Sequence, residues 1–101
     1  MCIRDRHCTN PARIFGMYPR KGTIAVGADA DIAVWDPNKT KVLSAKSHHM
    51  RCDYNMFEGM EVKGVPVMVY QRGAKLVDGD QWFGKNGSGQ YVARQPHAPV
   101  I

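Results

Sequence analysis

The sequence predicts a mainly β chain that carries one short helix near its N-terminus. Three observations point there. The alternating run "EVKGVPVMVY" at 61–70 is followed by Arg72-Gly73 and a second apolar run, the pattern of a β-hairpin. The stretch "DIAVW" at 31–35 is apolar after its first residue and is closed by Asp36-Pro37, a strand stop. Near the start, "NPARIFGMYP" groups apolar residues at helical spacing between two prolines.

The helix is expected from about Asn10 to Met17. Thr9 or Asn10 suits the N-cap, and Pro11 suits the first helical position, where its missing N–H costs nothing. Ala12, Ile14, Phe15 and Met17 form its apolar side, with Ile14 and Phe15 facing inward together. Gly16 weakens the end and Pro19 forbids continuation past Tyr18. A helix of about two turns does not stand alone and must pack on something.

After Gly22, "TIAVG" reads as a short extended piece with Gly27 at a turn. "DIAVW" is the next strand, "DPNKT" a turn, and "KVLSA", Lys41 to Ala45, a further strand. "KSHHMRCDYNMFEGM" has no clean period and is expected to be an ordered loop with at most one helical turn. In the long strand, Val65, Val67, Val69 and Gln71 fall on one face and Pro66, Met68 and Tyr70 on the other. Pro66 suggests a strand start or an edge position. "AKLV" returns after Arg72-Gly73, and Asp78-Gly79 opens another turn. The tail "GKNGSGQYVARQPHAPVI" has few core formers and is expected to be extended and mobile. Neither helix nor tail has an evident partner within the chain, which suggests a fragment.

At 101 residues the chain is one small domain or part of a larger one, and its 44% hydrophobic and 23% charged residues are ordinary for a globular protein. No apolar run approaches the roughly 20 residues of a membrane span, and no export signal is visible. The net charge of +5 invites a nucleic-acid reading, but the basic residues are scattered and no nucleic-acid motif accompanies them. Three cysteines, Cys2, Cys8 and Cys52, make no disulfide framework, so a reducing cytoplasm is the default. The opening "MCIRDR" fits neither neighbouring pattern, and residues 1–7 read as a non-native leader. Residues 8–22 then form the helix and connector, 23–83 the strands, and 84–101 the tail.

Candidate chemistry is sparse. Asp29, Asp31 and Asp36 resemble a calcium loop only for two ligands, because Asp31 runs straight into Ile32-Ala33-Val34-Trp35. They read better as turn and strand-end residues. His48 and Cys52, with His49 and Asp53 beside them, have the i,i+4 spacing of half a zinc site. Completing it would need ligands such as His7 and Cys8, and adjacent histidines diverge, so loop hydrogen bonding is the preferred role. "GKNGSGQY" lacks the order of a phosphate loop, and Ser44, Ser47 and Ser88 sit in no nucleophile elbow. No catalytic constellation emerges.

"TNPARIFGMYPRKGTIAVGADADIAVWDP" and "SAKSHHMRCDYNMFEGMEVKGVPVMVYQRG" together resemble the C-terminal end of the dihydropyrimidinase and hydantoinase group of cyclic amidohydrolases. "KGTIAVGADADIAVWD" is shared across the amidohydrolase superfamily, whereas "HHMRCDYNMFEGM" and "GSGQYVARQP" narrow the likeness to this group. The resemblance spans residues 8 to 101. It implies a parent that hydrolyses dihydropyrimidines or hydantoins with two zinc ions per subunit, bridged by a carboxylated lysine. Those ligands, including an H-x-H pair that His48-His49 do not match, lie in a (β/α)₈ barrel outside this segment. The resemblance therefore implies no catalytic, cofactor-binding or metal residue here.

It also implies that the helix is the last element packed on that barrel, and that the strands are the C-terminal share of a small β-sandwich. The tail from about Gly84 would lie over a neighbouring subunit of a tetramer, anchored by Tyr91 and Arg94. Partners would be a small cyclic amide and further copies of the chain, with no nucleic acid or membrane. The rival is a non-catalytic, partner-binding relative of the collapsin-response-mediator type. An independent β-rich module would need a self-sufficient core, and the strands are too few for one.

Overall fold

The computed structural model describes residues 3–101, so Cys2 lies outside the described residues. Its elements are one short helix and four strands, forming two compact units. One unit holds the described residues up to Asp31 together with Asn86–Ile101; the other is Ile32–Lys85.

In the first unit the helical path starts earlier and stops sooner than its sequence suggests. A π-helical turn, Asp5–Thr9, runs directly into α1, Asn10–Ile14. Because the backbone is already helical at Thr9, no N-cap forms there, and the Asn10 N–H donates back to the Asp5 carbonyl. The Thr9 hydroxyl instead donates to the Gly22 carbonyl at 2.8 Å. At the other end Gly16 adopts a left-handed φ of 68°. This lets the Met17 N–H reach back to the Ala12 carbonyl at 2.7 Å, the six-to-one bond of a glycine-terminated helix. Glycine ends the helix before Pro19 can.

Ala12 is buried, whereas Ile14 and Phe15, expected to face inward, are each 52% exposed. The 23–27 stretch is not extended. Having no strand to pair with, it belongs to an irregular loop in which Ile24 and Val26 are exposed. The tail has no regular secondary structure but is not loose: Gln95 N–H donates to the Gly16 carbonyl (2.8 Å) and Ala98 N–H to the Arg13 carbonyl (3.0 Å). Helix and tail, which looked partnerless in the sequence, are partners of each other.

The second unit is a four-stranded antiparallel sheet in the order β1-β2-β3-β4. The strands are β1 (Ile32–Val42), β2 (Glu61–Gln71), β3 (Ala74–Asp78) and β4 (Gln81–Trp82). "DIAVW" and "KV" are therefore one strand, not two. Both flanks of "DPNKT" pair with β2, so the chain continues instead of turning back. The excess residues bulge out between Asp36, opposite Val65, and Thr40, opposite Lys63. The turn chemistry is real but local: an Asp36 carboxylate oxygen accepts from the Asn38 N–H (2.9 Å) and the Lys39 N–H (3.3 Å).

The β2–β3 hairpin follows the sequence. Arg72 and Gly73 both take positive φ, 46° and 80°, as a type I′ turn requires. A second irregularity changes the faces, however. Val34 pairs with Met68 but Trp35 with Pro66, leaving Val67 as an extra residue in β2. The extra residue flips the alternation, so Val65, Val67 and Val69 do not share one face. Cross-strand partners point the same way. One face therefore carries Ala33, Val69, Val77 and Trp82 in a row, with Trp35, Pro66 and Val62; the other carries Ile32, Val34, Val65, Met68 and Tyr70. Pro66 lies inside a central strand, yet β3 pairs with β2 only from Met68 onward. At Pro66 the strand has one neighbour, which is why a residue without an N–H is accepted.

Candidate functional site

The most site-like feature is a concavity of about 530 Å³ over the Trp35–Val69–Val77 face of the sheet. The loop between β1 and β2 makes its other wall, from Leu43 to Asn55, and it is an ordered loop, as its aperiodic sequence suggests, with turns at 45–47 and 56–59. Glu58 closes the loop. Its carboxylate accepts from the Ser44 hydroxyl and from the Ala45 N–H, both at 2.7 Å. The Gly59 N–H donates to the Leu43 carbonyl at 2.8 Å, and the Leu43 N–H donates to the Met60 carbonyl at 2.9 Å. The Ser44 hydroxyl, then the Ala45 N–H, hold the Glu58 carboxyl below its ordinary value. Sequence reading did not single out Glu58. Its signal, a lone acid before Gly59 in an aperiodic loop, has no period to reveal it.

Within that loop the two histidines diverge. The His48 Nδ1 accepts the Met50 N–H at 3.0 Å, which leaves its Nε2 towards Cys52 Sγ at 3.9 Å. Cys52 also contacts the Tyr54 carbonyl at 3.5 Å. His49 turns to Trp82, with ring centroids 5.8 Å apart. The structure thus brings His48 and Cys52 together and takes His49 elsewhere. Among the described residues no three His, Cys, Asp or Glu side chains are grouped to hold a metal ion. Ser44 and Ser47 are used within the loop, the Ser47 hydroxyl donating to the Ser44 carbonyl at 3.2 Å.

The aspartates of "GADAD" are engaged in ion pairs in the other unit. Arg20 Nε and Lys21 Nζ each lie 2.9 Å from Asp29 Oδ2, and Lys21 also pairs with Asp31. The Asp29 N–H donates to the Arg20 carbonyl at 2.9 Å, so the clamp closes the loop at its neck. Lys21, then Arg20, depress the Asp29 carboxyl. Burial opposes the charge on Lys21, but the hydrogen bonds it donates to Asp29 and Asp31 outweigh it and raise the ammonium above its usual value. Two cations hold these carboxylates in a structural clamp. Asp36, in the sheet, serves its bulge. "GKNGSGQY" makes a turn with Gly87 at φ 77°, with no strand-to-helix passage around it.

The arrangement of the sheet and loop is apolar, rimmed by polar side chains, and lacks paired acids or an activated nucleophile. Comparison with known proteins supplies the family. The model of the amidohydrolase family matches residues 7–76. This chain belongs to that family. It is 52% identical over 93 residues to a D-hydantoinase of Geobacillus stearothermophilus, covering 92% of this chain and 20% of that protein. It is 46% identical to a dihydropyrimidinase of Rattus norvegicus, over 92% of this chain and 18% of the relative. Among solved structures, a D-hydantoinase from Bacillus sp. AR9 superposes with a TM-score of 0.86 at 52% identity, covering 92% of this chain and 20% of that one. The chain spans about a fifth of the length of the relatives it matches.

The two-zinc ligand set that the resemblance implies for the parent does not fit the described residues: His48 approaches Cys52, and Asp29 and Asp31 converge on Lys21, but no three side chains of ligand type come together. No metal-dependent step follows from them. Among the described residues no helix is long and apolar enough to cross a membrane.

Proposed function

We propose that this chain is the C-terminal portion of a metal-dependent hydrolase that opens dihydropyrimidines or hydantoins to N-carbamoyl amino acids, and that it is inactive by itself. The observation that carries the reading is the 52% identity to a D-hydantoinase over 92% of the chain. The thin core supports it. Ala12 and Val65 are the buried apolar residues among those described, and Trp35 on the concave face is 59% exposed. A sheet with one face so open suits a share of a β-sandwich completed by the rest of the parent. On this reading the two zinc ions and the residues that activate water belong to the parent's barrel, and this chain contributes architecture.

The parent would be a cytoplasmic enzyme of pyrimidine catabolism and a homo-oligomer, a tetramer by the resemblance. Tyr91 and Arg94, both exposed, are available for a subunit contact. The test is to express the parent reading frame and this chain side by side and assay dihydrouracil and hydantoin opening with zinc supplied. We expect turnover by the parent, lost to a chelator, and none by the chain. Metal-dependent turnover by the chain alone would overturn its inactivity. A folded, zinc-loaded parent without turnover would reject the enzyme reading in favour of a partner-binding relative.

A further inference from the structure

The hydrogen bonds that tie the tail to α1 and to Gly16 just beyond it all run to tail backbone. The Asn10 side chain acts as a surrogate strand edge: its Nδ2 donates to a main-chain oxygen of Ile101 at 2.8 Å and its Oδ1 accepts the Ile101 N–H at 2.9 Å. One turn on, Arg13 contributes twice. Its Nη1 donates to the Pro99 carbonyl at 3.0 Å, and its own carbonyl accepts the Ala98 N–H at 3.0 Å. The Gly16 carbonyl accepts the Gln95 N–H at 2.8 Å. The Arg13 carbonyl already accepts the Gly16 N–H at 3.2 Å and takes the Ala98 N–H as a second donor, while the Gly16 carbonyl, just past the helix end, takes the Gln95 N–H.

Two further features fit an extended occupant. A Cβ on Gly16 would stand 1.7 Å from the Gln95 carbonyl oxygen, so the backbone can approach only because residue 16 is glycine. The Arg13 guanidinium lies 4.5 Å over the Tyr18 ring, which fixes the fork that reads Pro99. On the ligand side Pro96 and Pro99 restrict the segment to extended conformations, lowering the entropy lost on docking.

We infer that Asn10, Arg13 and Gly16 form a docking site for an extended, proline-containing peptide, filled here in cis by residues 95–101. The site reads main chain at four residues, so it selects for conformation and proline spacing more than for side chains. Filling it caps the helix end, which makes order in the tail and order at residues 15–18 one event.

The test is amide hydrogen exchange on the full chain. Gln95, Ala98 and Ile101 should be protected together with Met17 and Tyr18. Asn10→Ala removes two hydrogen bonds and should speed exchange at the three tail amides about tenfold, with Val69 and Val77 in the sheet unchanged. Ile101→Pro, which deletes the N–H read by Asn10 and leaves the helix sequence intact, should speed exchange at Gln95 and Ala98 in the same way if Asn10→Ala proves to unfold its unit. A synthetic peptide of residues 95–101 in excess should compete and also speed exchange of the chain's own tail amides. Tail amides exchanging at free-peptide rates in the unaltered chain would overturn the inference. So would unchanged protection in Ile101→Pro, or no effect of the peptide at saturating concentration.

Discussion

Glu58 and Asp29 show how single carboxylates hold loops in this chain without doing chemistry. Each has its charged form favoured by donors, Ser44 and Ala45 for Glu58, Lys21 and Arg20 for Asp29, so each folded pKa lies below the unfolded value. A depressed carboxyl stabilises above its unfolded pKa, and that contribution is lost as pH falls through the folded value. Acidification from about pH 5 should therefore loosen the 44–60 loop and the Arg20–Asp31 clamp, seen as faster exchange at the Ala45 and Asp29 amides. Lys21 works at the opposite extreme: its raised pKa keeps its contribution intact up to the ordinary lysine range and loses it only above that. Glu58→Gln keeps the shape but removes the charge and turns one of the two accepting oxygens into an NH2 donor, and should make Ala45 exchange faster at neutral pH and insensitive to acidification. A variant that still responds to pH at Ala45 would place the sensitivity elsewhere.

At the scale of elements, the bulge in β1 is the feature with a single controlling side chain. Asp36→Ala removes the acceptor for Asn38 and Lys39 and should destabilise the sheet by about 1 kcal/mol, measured by denaturant titration, whereas Asp36→Asn should recover most of it. This element also shows what a sequence displays and what it hides. The β2–β3 hairpin was legible because alternation, Arg72-Gly73 and "AKLV" all agree locally. "DPNKT" carries equally good turn signals, yet it is a bulge, because the choice between turning back and continuing depends on what β2 offers to both flanks. Val67 is hidden for the same reason: an extra residue that flips a strand's faces leaves no mark in its own neighbourhood. The end of α1 at Gly16 was half legible, since glycine marks the stop, but the tail that docks there lies some 80 positions away.

At the scale of the molecule, the residues that look most chemical, "GADADIAVWDP" and "HHMRCD", identify the family through architecture. They make a clamp, a strand and a loop wall, and they give the candidate site Trp35, His48 and His49. The loop wall was legible as an ordered loop, and the separation of His48 from His49 followed from their adjacency. The concavity itself was not legible, because it depends on the flipped face of β2. Its consequence is physical. Among the described residues each unit has one buried apolar residue, Ala12 in one and Val65 in the other, while Trp35, Trp82, Met56 and Tyr54 stay largely exposed. A two-state domain of this length would bury most of the apolar surface that its unfolded chain exposes, giving a urea m-value on the order of 1–2 kcal/mol/M. This chain buries far less, so we expect a broad transition with a smaller m-value and strong binding of a hydrophobic dye before any denaturant is added. In the parent the same dye signal should be largely gone, because the rest of the polypeptide would cover the Trp35 face. A sharp, cooperative transition of the isolated chain with no dye binding would mean that its sheet is self-sufficient, and the share-of-a-sandwich reading would have to give way to an independent module.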